Sequence, residues 1–181
     1  FDKMYNPEMA LKVLVTLKKT HPNASLCMVG PDKDGSLAQT KRATIKYGIQ
    51  DAVEFTGLLD KKTWIERSKE FTIFINTTTI DNTPVSVMEA MAMGLPVIST
   101  NVGGIPYLLE DGEDAYLVPS NDVDAMSKKI IAIIENKAHV DAIVLNARKK
   151  VEQFDWSVVR LQWIAVLDSI QLHKKQKWIE R

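Results

Sequence analysis

The chain has 181 residues, of which 45% are hydrophobic and 25% charged, a composition typical of one soluble globular domain with a sizeable core. Lys plus Arg and Asp plus Glu number 23 each, so no net charge favours nucleic acid or an anionic membrane as a partner. No run reaches the roughly 20 apolar residues of a membrane span, and the first residues are unlike a signal peptide, which together indicate a cytoplasmic protein.

Helical spacing of apolar residues begins near Pro7, which suits a first helical turn, and this helix is predicted to end near His21. Short apolar runs typical of buried strands then alternate with helical segments. The predicted strands cover 25–29, 52–55, 72–75, 96–99 and 115–118. The helices between them cover 35–47, 61–69, 84–93 and 104–109. From about 121 to 181 the chain is predicted to be helical, over 123–135, 140–151 and 157–172.

Strands that are continuous apolar runs, alternating with helices, indicate a parallel sheet covered by helices on both faces. The predicted fold class is therefore α/β, a doubly wound and Rossmann-like domain that spans residues 1–181. Ligands of such sheets bind beyond the carboxyl ends of the strands. The loops after Val29, Phe55, Ile75 and Ser99 are accordingly the candidate site loops.

The loop after Ile75 is rich in hydroxyl and amide side chains and leads into Pro84. Thr83 is predicted to cap the following helix, with Pro84 as its first residue. The free amides and the positive dipole end of this helix would then face the crevice. Such a helix end suits a phosphate group.

Glu89 is the one ionisable residue in this helix, whose other residues are so largely apolar that the helix should be buried. Its side chain would lean back toward the helix N-terminus and Asp81. A ribose diol would suit the carboxylate, because it offers two hydroxyl donors. A capping box with Ser86, or a structural cation beside Glu89, explains the same residue equally well.

Several other chemistries are excluded by what the sequence lacks. The Lys and the Ser or Thr that complete a P-loop do not follow Gly35, although Gly30 and Gly35 have its glycine spacing. No strand is followed by the Gly-x-Gly-x-x-Gly turn of a dinucleotide dehydrogenase. The three histidines lack ligand spacing, so no metal is expected.

Three further features have mainly structural interpretations. The pair Gly103-Gly104 permits close approach of a backbone, either to a ligand or to a packed segment. Cys27 lies in an apolar run and is expected to be a buried, inert thiol. The basic segment 173–177 is more typical of a solvated helix end than of a membrane-binding patch.

Two long segments carry a resemblance to a known family. They run from Asp81 to Ile98 and from Asn101 to Pro106, and Asp111-Gly112 follows the second. Shorter matching segments are Tyr5-Asn6-Pro7, Met28-Val29-Gly30, Phe55-Thr56-Gly57, Tyr116-Leu117-Val118-Pro119 and Phe154-Asp155-Trp156. Together they resemble the C-terminal domain of family-four (group one) retaining glycosyltransferases. The resemblance implies the GT-B fold of two Rossmann-like domains, of which this is the second. Since the chain begins with Phe1 rather than Met, we expect the N-terminal acceptor domain to be absent.

The resemblance also implies which residues form the donor site. The family has two acids spaced as Asp81 and Glu89 are; the first lies near the transferred sugar and the second binds the ribose, so these are the expected catalytic acids. The helix N-terminus would hold the pyrophosphate, and the loops after Gly30 and Gly57 would flank the nucleotide. The expected donor-binding residues are Glu89, Asp81, Thr83, Pro84, Val85, Ser86, Gly30, Leu58, Leu59 and Lys3.

The sequence departs from the family pattern near the phosphates. Asp81 stands where the family usually has the longer Glu. The family's phosphate-binding Arg would precede Phe1, and the position of its Lys falls on Tyr5. Lys3 is the nearby basic residue that could replace that Lys.

The function implied is retaining transfer of a sugar from a nucleotide-sugar donor to a glycan, lipid or small-molecule acceptor, with no cofactor and no metal. The acceptor would bind to the missing domain, and the fragment alone should transfer nothing. The resemblance leaves open a peripheral association of the full-length protein with the inner membrane face. Two alternatives also stay open: a degenerate nucleotide-sugar-binding module without catalysis, and an epimerase or phosphorylase on the same fold.

Overall fold

The structure, a computed structural model, describes the backbone of residues 1–179 and the side chains of residues 1–136 and 140–169. The strands are β1 (Leu26–Val29), β2 (Val53–Gly57), β3 (Phe74–Asn76), β4 (Val97–Thr100) and β5 (Tyr116–Val118). The α-helices are α1 (Pro7–Leu17), α2 (Ser36–Lys46), α3 (Lys61–Ser68), α4 (Val85–Ala92), α5 (Ile105–Leu108), α6 (Val123–Glu135), α7 (Lys137–Glu152) and α8 (Trp156–Ile179). Short 3-10 helices cover Lys3–Tyr5 and Gln50–Ala52.

The predicted alternation of strands and helices is confirmed, and the predicted elements differ from the observed ones at their boundaries. The helix predicted over 123–135 coincides with α6, whereas β3 begins at Phe74 rather than at Thr72. The last helix, α8, starts one residue earlier than predicted and continues past the expected end at 172. The expectation for the basic segment 173–177 concerns side chains that lie outside the described residues.

The strands form two parallel sheets where the sequence predicts one. The first sheet pairs β1 with β2, and the second has the order β3-β4-β5. Within the second sheet Ile98 of β4 lies between Ile75 and Tyr116. The Rossmann-like α/β class is confirmed. The sheet is not continuous, since β1 and β3 do not pair with each other and residues of both line a cavity.

Helices cover the second sheet on both faces. Ile98 belongs to one buried cluster with α1 and α6, and its neighbour Val97 belongs to another with α4 and α5. Successive residues of a strand point to opposite faces, so the two clusters mark the two layers. Both side chains are at most 1% exposed.

Helix α1 packs against both sheets. Met9 and Val13 belong to the cluster that includes β4 and β5, whereas Leu11 and Leu14 pack with Leu26 and Met28 of β1. These side chains lie on adjoining faces of one amphipathic helix. Helix α1 therefore connects the two sheets, which share no strand pairing.

Apolar side chains on the described part of α8 are exposed to solvent. Trp156, Leu161 and Trp163 are each more than half exposed. In the part of the chain that the structure describes, no helix is both long and apolar enough to cross a membrane.

Candidate functional site

A cavity of about 760 Å³ opens at the carboxyl ends of β1, β2 and β3, where the predicted fold places ligands. Its walls are β1 and β3, and its mouth is formed by the loops after these strands and after β2. The predicted site residues that line it are Gly30, Leu58, Leu59, Asp81, Thr83, Pro84, Val85, Ser86 and Glu89. Lys3 is not among the lining residues, and its backbone N–H donates to Oδ2 of Asp34 over 3.1 Å.

The N-terminus of α4 opens on this cavity. Pro84 is the N-cap, with φ −69° and ψ 107°, and its carbonyl accepts from the amide of Val87 over 3.1 Å. The prediction that Thr83 caps the helix and that Pro84 is its first residue is therefore wrong by one position. The first amides, of Val85 and Ser86, have no intrahelical acceptor, and the described hydrogen bonds supply none. They are available to an anion in the cavity.

The expectation of a helix buried all round is wrong for the first turn of α4. Val87, Ala90 and Met91 are fully buried at 0% exposure, but Val85 is 61% exposed. The difference arises because the first turn faces the cavity while the rest of the helix packs on β4 and α5. The apolar composition alone does not reveal which turn borders the opening.

Glu89 lies at the cavity mouth with 28% of its side chain exposed, and its Oε1 is paired with the ammonium of Lys61. A capping box with Ser86 is not formed, since α4 has no side-chain cap. Among the described residues no donor contacts Oε2 of Glu89. One carboxylate oxygen is thus held by the protein, and the other is open to a ligand.

Gly103 and Gly104 press against the loop that carries Asp81. The amide of Gly104 donates to the carbonyl of Asp81 over 2.7 Å. A Cβ at Gly104 would lie 2.1 Å from the carbonyl oxygen of Asn82, and one at Gly103 would lie 2.3 Å from that of Asp81. Of the two interpretations left open by the sequence, the packed backbone is therefore the one observed. The glycine pair holds the Asp81 loop in place.

The threonines after β3 hold the N-terminal segment of the chain. Thr77 Oγ1 donates to the carbonyl of Tyr5 over 2.7 Å, and Thr78 Oγ1 to that of Met4 over 3.1 Å. The amide of Thr79 also donates to Met4, over 2.7 Å. These hydrogen bonds place Tyr5 at the edge of the cavity. The hydroxyls that mark the loop in the sequence are used for this attachment.

Two basic residues that the sequence did not single out, Lys33 and Lys61, line the cavity. Lys33 belongs to the loop after Gly30, and its ammonium lies 5.7 Å from the ring centroid of Tyr5. This distance is within the range of a cation–π contact. The sequence could have identified both lysines by their place in the chain, because each follows a strand whose carboxyl end is expected to border the site.

Cys27 lines the same cavity and is half-buried, whereas the sequence predicts a buried thiol. Burial raises the pKa of the Cys27 thiol, and the negative charge of Glu54, its register partner on β2, raises it further. A raised pKa leaves less thiolate at neutral pH. The expected low reactivity therefore has a physical cause.

We expect iodoacetamide to alkylate Cys27 several-fold more slowly than it alkylates a free cysteine at pH 8, with the rate still rising as pH increases. The reason is the smaller thiolate fraction at that pH. Mass spectrometry at timed intervals measures the rate, and the urea-unfolded chain is the control. Equal rates for the folded and unfolded chains would contradict the raised pKa.

The described residues contain no group of three His, Cys, Asp or Glu side chains placed to hold a metal ion. The expectation that no metal is needed stays a prediction.

The fold and the cavity together define a Rossmann-like domain with an anion-suited crevice at its strand ends. Residues 1–150 match the family described as glycosyl transferases group 1. A curated relative, the amylovoran biosynthesis glycosyltransferase of Erwinia amylovora, is 32% identical over 140 residues, covering 74% of this chain and 34% of the relative. The chain thus spans about a third of that relative's length.

Solved structures share the fold. The C-terminal domain of LpcC, a group 1 family glycosyl transferase of Francisella tularensis, has a TM-score of 0.74 at 18% identity, covering 84% of this chain and 80% of that one. HepE of Anabaena, solved with UDP-glucose, has a TM-score of 0.83 at 20% identity, covering 93% of this chain and 46% of HepE. The chain belongs to the glycosyl transferases group 1 family.

Proposed function

We propose that this chain is the donor-binding part of a retaining glycosyltransferase that moves a sugar from a nucleoside-diphosphate sugar to a glycan acceptor. The observation that carries the proposal is the shared cavity, which brings the open N-terminus of α4, Glu89 and Asp81 to one mouth. Relatives support the class of ligand and acceptor: HepE was solved with UDP-glucose, and the Erwinia relative is named for amylovoran biosynthesis.

Each part of the cavity suits one part of such a donor. The unpaired amides of Val85 and Ser86, at the positive end of α4, suit the diphosphate. The open oxygen of Glu89 can accept from a ribose hydroxyl. Leu58 and Leu59 offer apolar contact to the base, and Leu58 is 78% exposed and free to be covered.

In the proposed reaction the bond between the sugar C1 and the diphosphate oxygen breaks, and its electron pair leaves with the diphosphate. The acceptor oxygen forms the new bond to C1 on the same face, and the hydroxyl proton passes to the departing diphosphate oxygen. The α4 amides and the ammonium of Lys33 would stabilise the charge that develops on the leaving group. We propose that these groups serve without a bound metal. The acceptor and the remaining groups would come from the rest of a longer protein.

Replacing Glu89 with glutamine is expected to weaken binding of the preferred nucleoside diphosphate about tenfold to a hundredfold. A hydrogen bond to a charged acceptor contributes roughly 1.5–3 kcal/mol. Calorimetric titration with UDP, GDP and ADP measures the affinities and identifies the base. Glu135→Gln, an exposed change at the end of α6, is the matched control and should bind like the wild type.

Failure of the wild-type chain to bind any of the three nucleotides would contradict the donor-binding proposal. Retention is tested separately on the full-length protein, where NMR of the product should show the anomeric configuration of the donor. A sugar phosphate or an epimerised donor as product would instead indicate a phosphorylase or an epimerase. We expect the 181-residue chain by itself to bind donor and to transfer nothing.

A further inference from the structure

Lys61 occupies a position that is locally unfavourable. It is the first residue of α3, where the positive end of the helix dipole disfavours a cation, and the first turn of α3 contains no acidic residue. Asp60 caps the helix, with Oδ1 accepting from the amide of Thr63 over 2.9 Å, so the backbone at Lys61 is fixed. A residue that breaks a local preference is often explained by a function elsewhere in the fold.

The contact that compensates Lys61 crosses the cavity mouth. Its ammonium pairs with Oε1 of Glu89 on α4, 28 residues away in sequence, and both residues line the cavity. The Lys61 side chain is 66% exposed, which makes the ion pair a weak contributor to folding stability. The ion pair does fix the orientation of the Glu89 carboxylate, because one oxygen is held by Lys61 while the other stays open.

We propose that Lys61 is a positioning residue, which holds the Glu89 carboxylate so that its second oxygen accepts from the ribose hydroxyls of the donor. The inference rests on the proposed function and extends it to a residue outside the acidic pair. Without Lys61, Glu89 can rotate into solvent, and a ribonucleotide must then order that side chain on binding. Lys61 itself need not touch the donor.

The effect should therefore depend on the ribose hydroxyls. Lys61→Met is expected to weaken binding of the nucleoside diphosphate about fivefold to twentyfold, a part of what a charged hydrogen bond contributes. Binding of the 2′,3′-dideoxy analogue, which has no hydroxyl for Glu89 to accept from, should change less than about twofold. Lys61→Arg should restore most of the ribonucleotide affinity, because it keeps a cation opposite Glu89.

The experiment is a calorimetric comparison of ribo and dideoxy nucleoside diphosphates on the wild type, Lys61→Met, Lys61→Arg and Lys62→Met. Lys62 is the matched control, as an exposed neighbouring lysine on α3 that does not line the cavity. An equal loss for both nucleotides would mean that Lys61 acts on the phosphates, and would overturn the positioning role. An unchanged ribonucleotide affinity would overturn it as well.

A second readout does not depend on nucleotide binding. The carboxyl carbon resonance of Glu89, assigned by comparison with Glu89→Gln, should shift in Lys61→Met and stay in place in Lys62→Met. A resonance that does not move shows that Lys61 does not hold Glu89, and overturns the inference by itself. If the resonance shifts in Lys61→Met but the wild-type chain binds no nucleotide, the proposed function is contradicted instead.

Discussion

Replacing Gly104 with alanine is expected to lower the free energy of unfolding by about 2–4 kcal/mol and to abolish donor binding. The added Cβ would lie 2.1 Å from the carbonyl oxygen and 2.8 Å from the Cα of Asn82, both backbone atoms that cannot rotate away. Overpacking of this kind typically costs 1–3 kcal/mol. The hydrogen bond from Gly104 to Asp81 would be strained as well, at a further cost of about 1 kcal/mol.

The backbone conformation at Gly104 does not explain the effect, because its φ of −83° and ψ of −8° are accessible to alanine. Gly112→Ala is the contrasting control, since Gly112 has φ 82° but nothing within 4 Å of an added Cβ, and it does not line the cavity. It should cost stability through backbone strain and leave nucleotide affinity unchanged. Thermal unfolding and calorimetry measure the two quantities. Normal donor binding by folded Gly104→Ala would contradict the role assigned to the glycine pair.

Replacing Lys150 with methionine is expected to destabilise the fold by about 2–4 kcal/mol without a direct effect on the donor site. Lys150 on α7 pairs with Asp114, whose side chain is only 4% exposed, and its ammonium also donates to the carbonyl of Leu108 over 3.1 Å. Removing one partner of a buried pair typically costs 3–5 kcal/mol, because the other charge is left uncompensated. The smaller value reflects the 33% exposure of Lys150.

Chemical denaturation of Lys150→Met and of Lys149→Met tests this prediction. Lys149 is an exposed neighbour on α7, so its replacement should change the free energy of unfolding by less than about 0.5 kcal/mol. Adding Asp114→Asn to Lys150→Met should recover part of the loss, since the uncompensated charge is then removed. Equal effects of the two lysine replacements would show that the buried pair contributes nothing specific.

The fold class could be predicted from the sequence because strands and helices alternate with clear periodicity. Sites at strand ends follow from parallel topology, so the loops that carry Gly30, Leu58 and Asp81 could be identified together before the structure was known. Helix α6 has the bounds that the sequence predicts, and in the structure Asp122 caps it by accepting from the amide of Ala125.

Other features of the site depend on contacts between distant segments, which local patterns do not encode. The pairing of Lys61 with Glu89 joins two helices. The attachment of Met4 to the loop after β3 spans more than 70 residues of sequence. The separation of β1 from β3 was missed for a related reason. An apolar strand predicts burial, but whether its edge meets another strand or a cavity depends on the whole packing arrangement.

That separation gives the crevice an unusual kind of adjustability. Two strands joined by hydrogen bonds keep a fixed spacing of about 4.8 Å, but β1 and β3 share no such ladder. Helix α1 packs against both sheets, and its Pro7 and Ala10 form part of the cavity lining, so we expect side-chain volume on α1 to influence the spacing of β1 and β3. A methyl group gained or lost on the cavity side of this helix would change the volume of the crevice. We therefore expect ligand preference to depend on the side chains of α1 as well as on the residues at the cavity mouth.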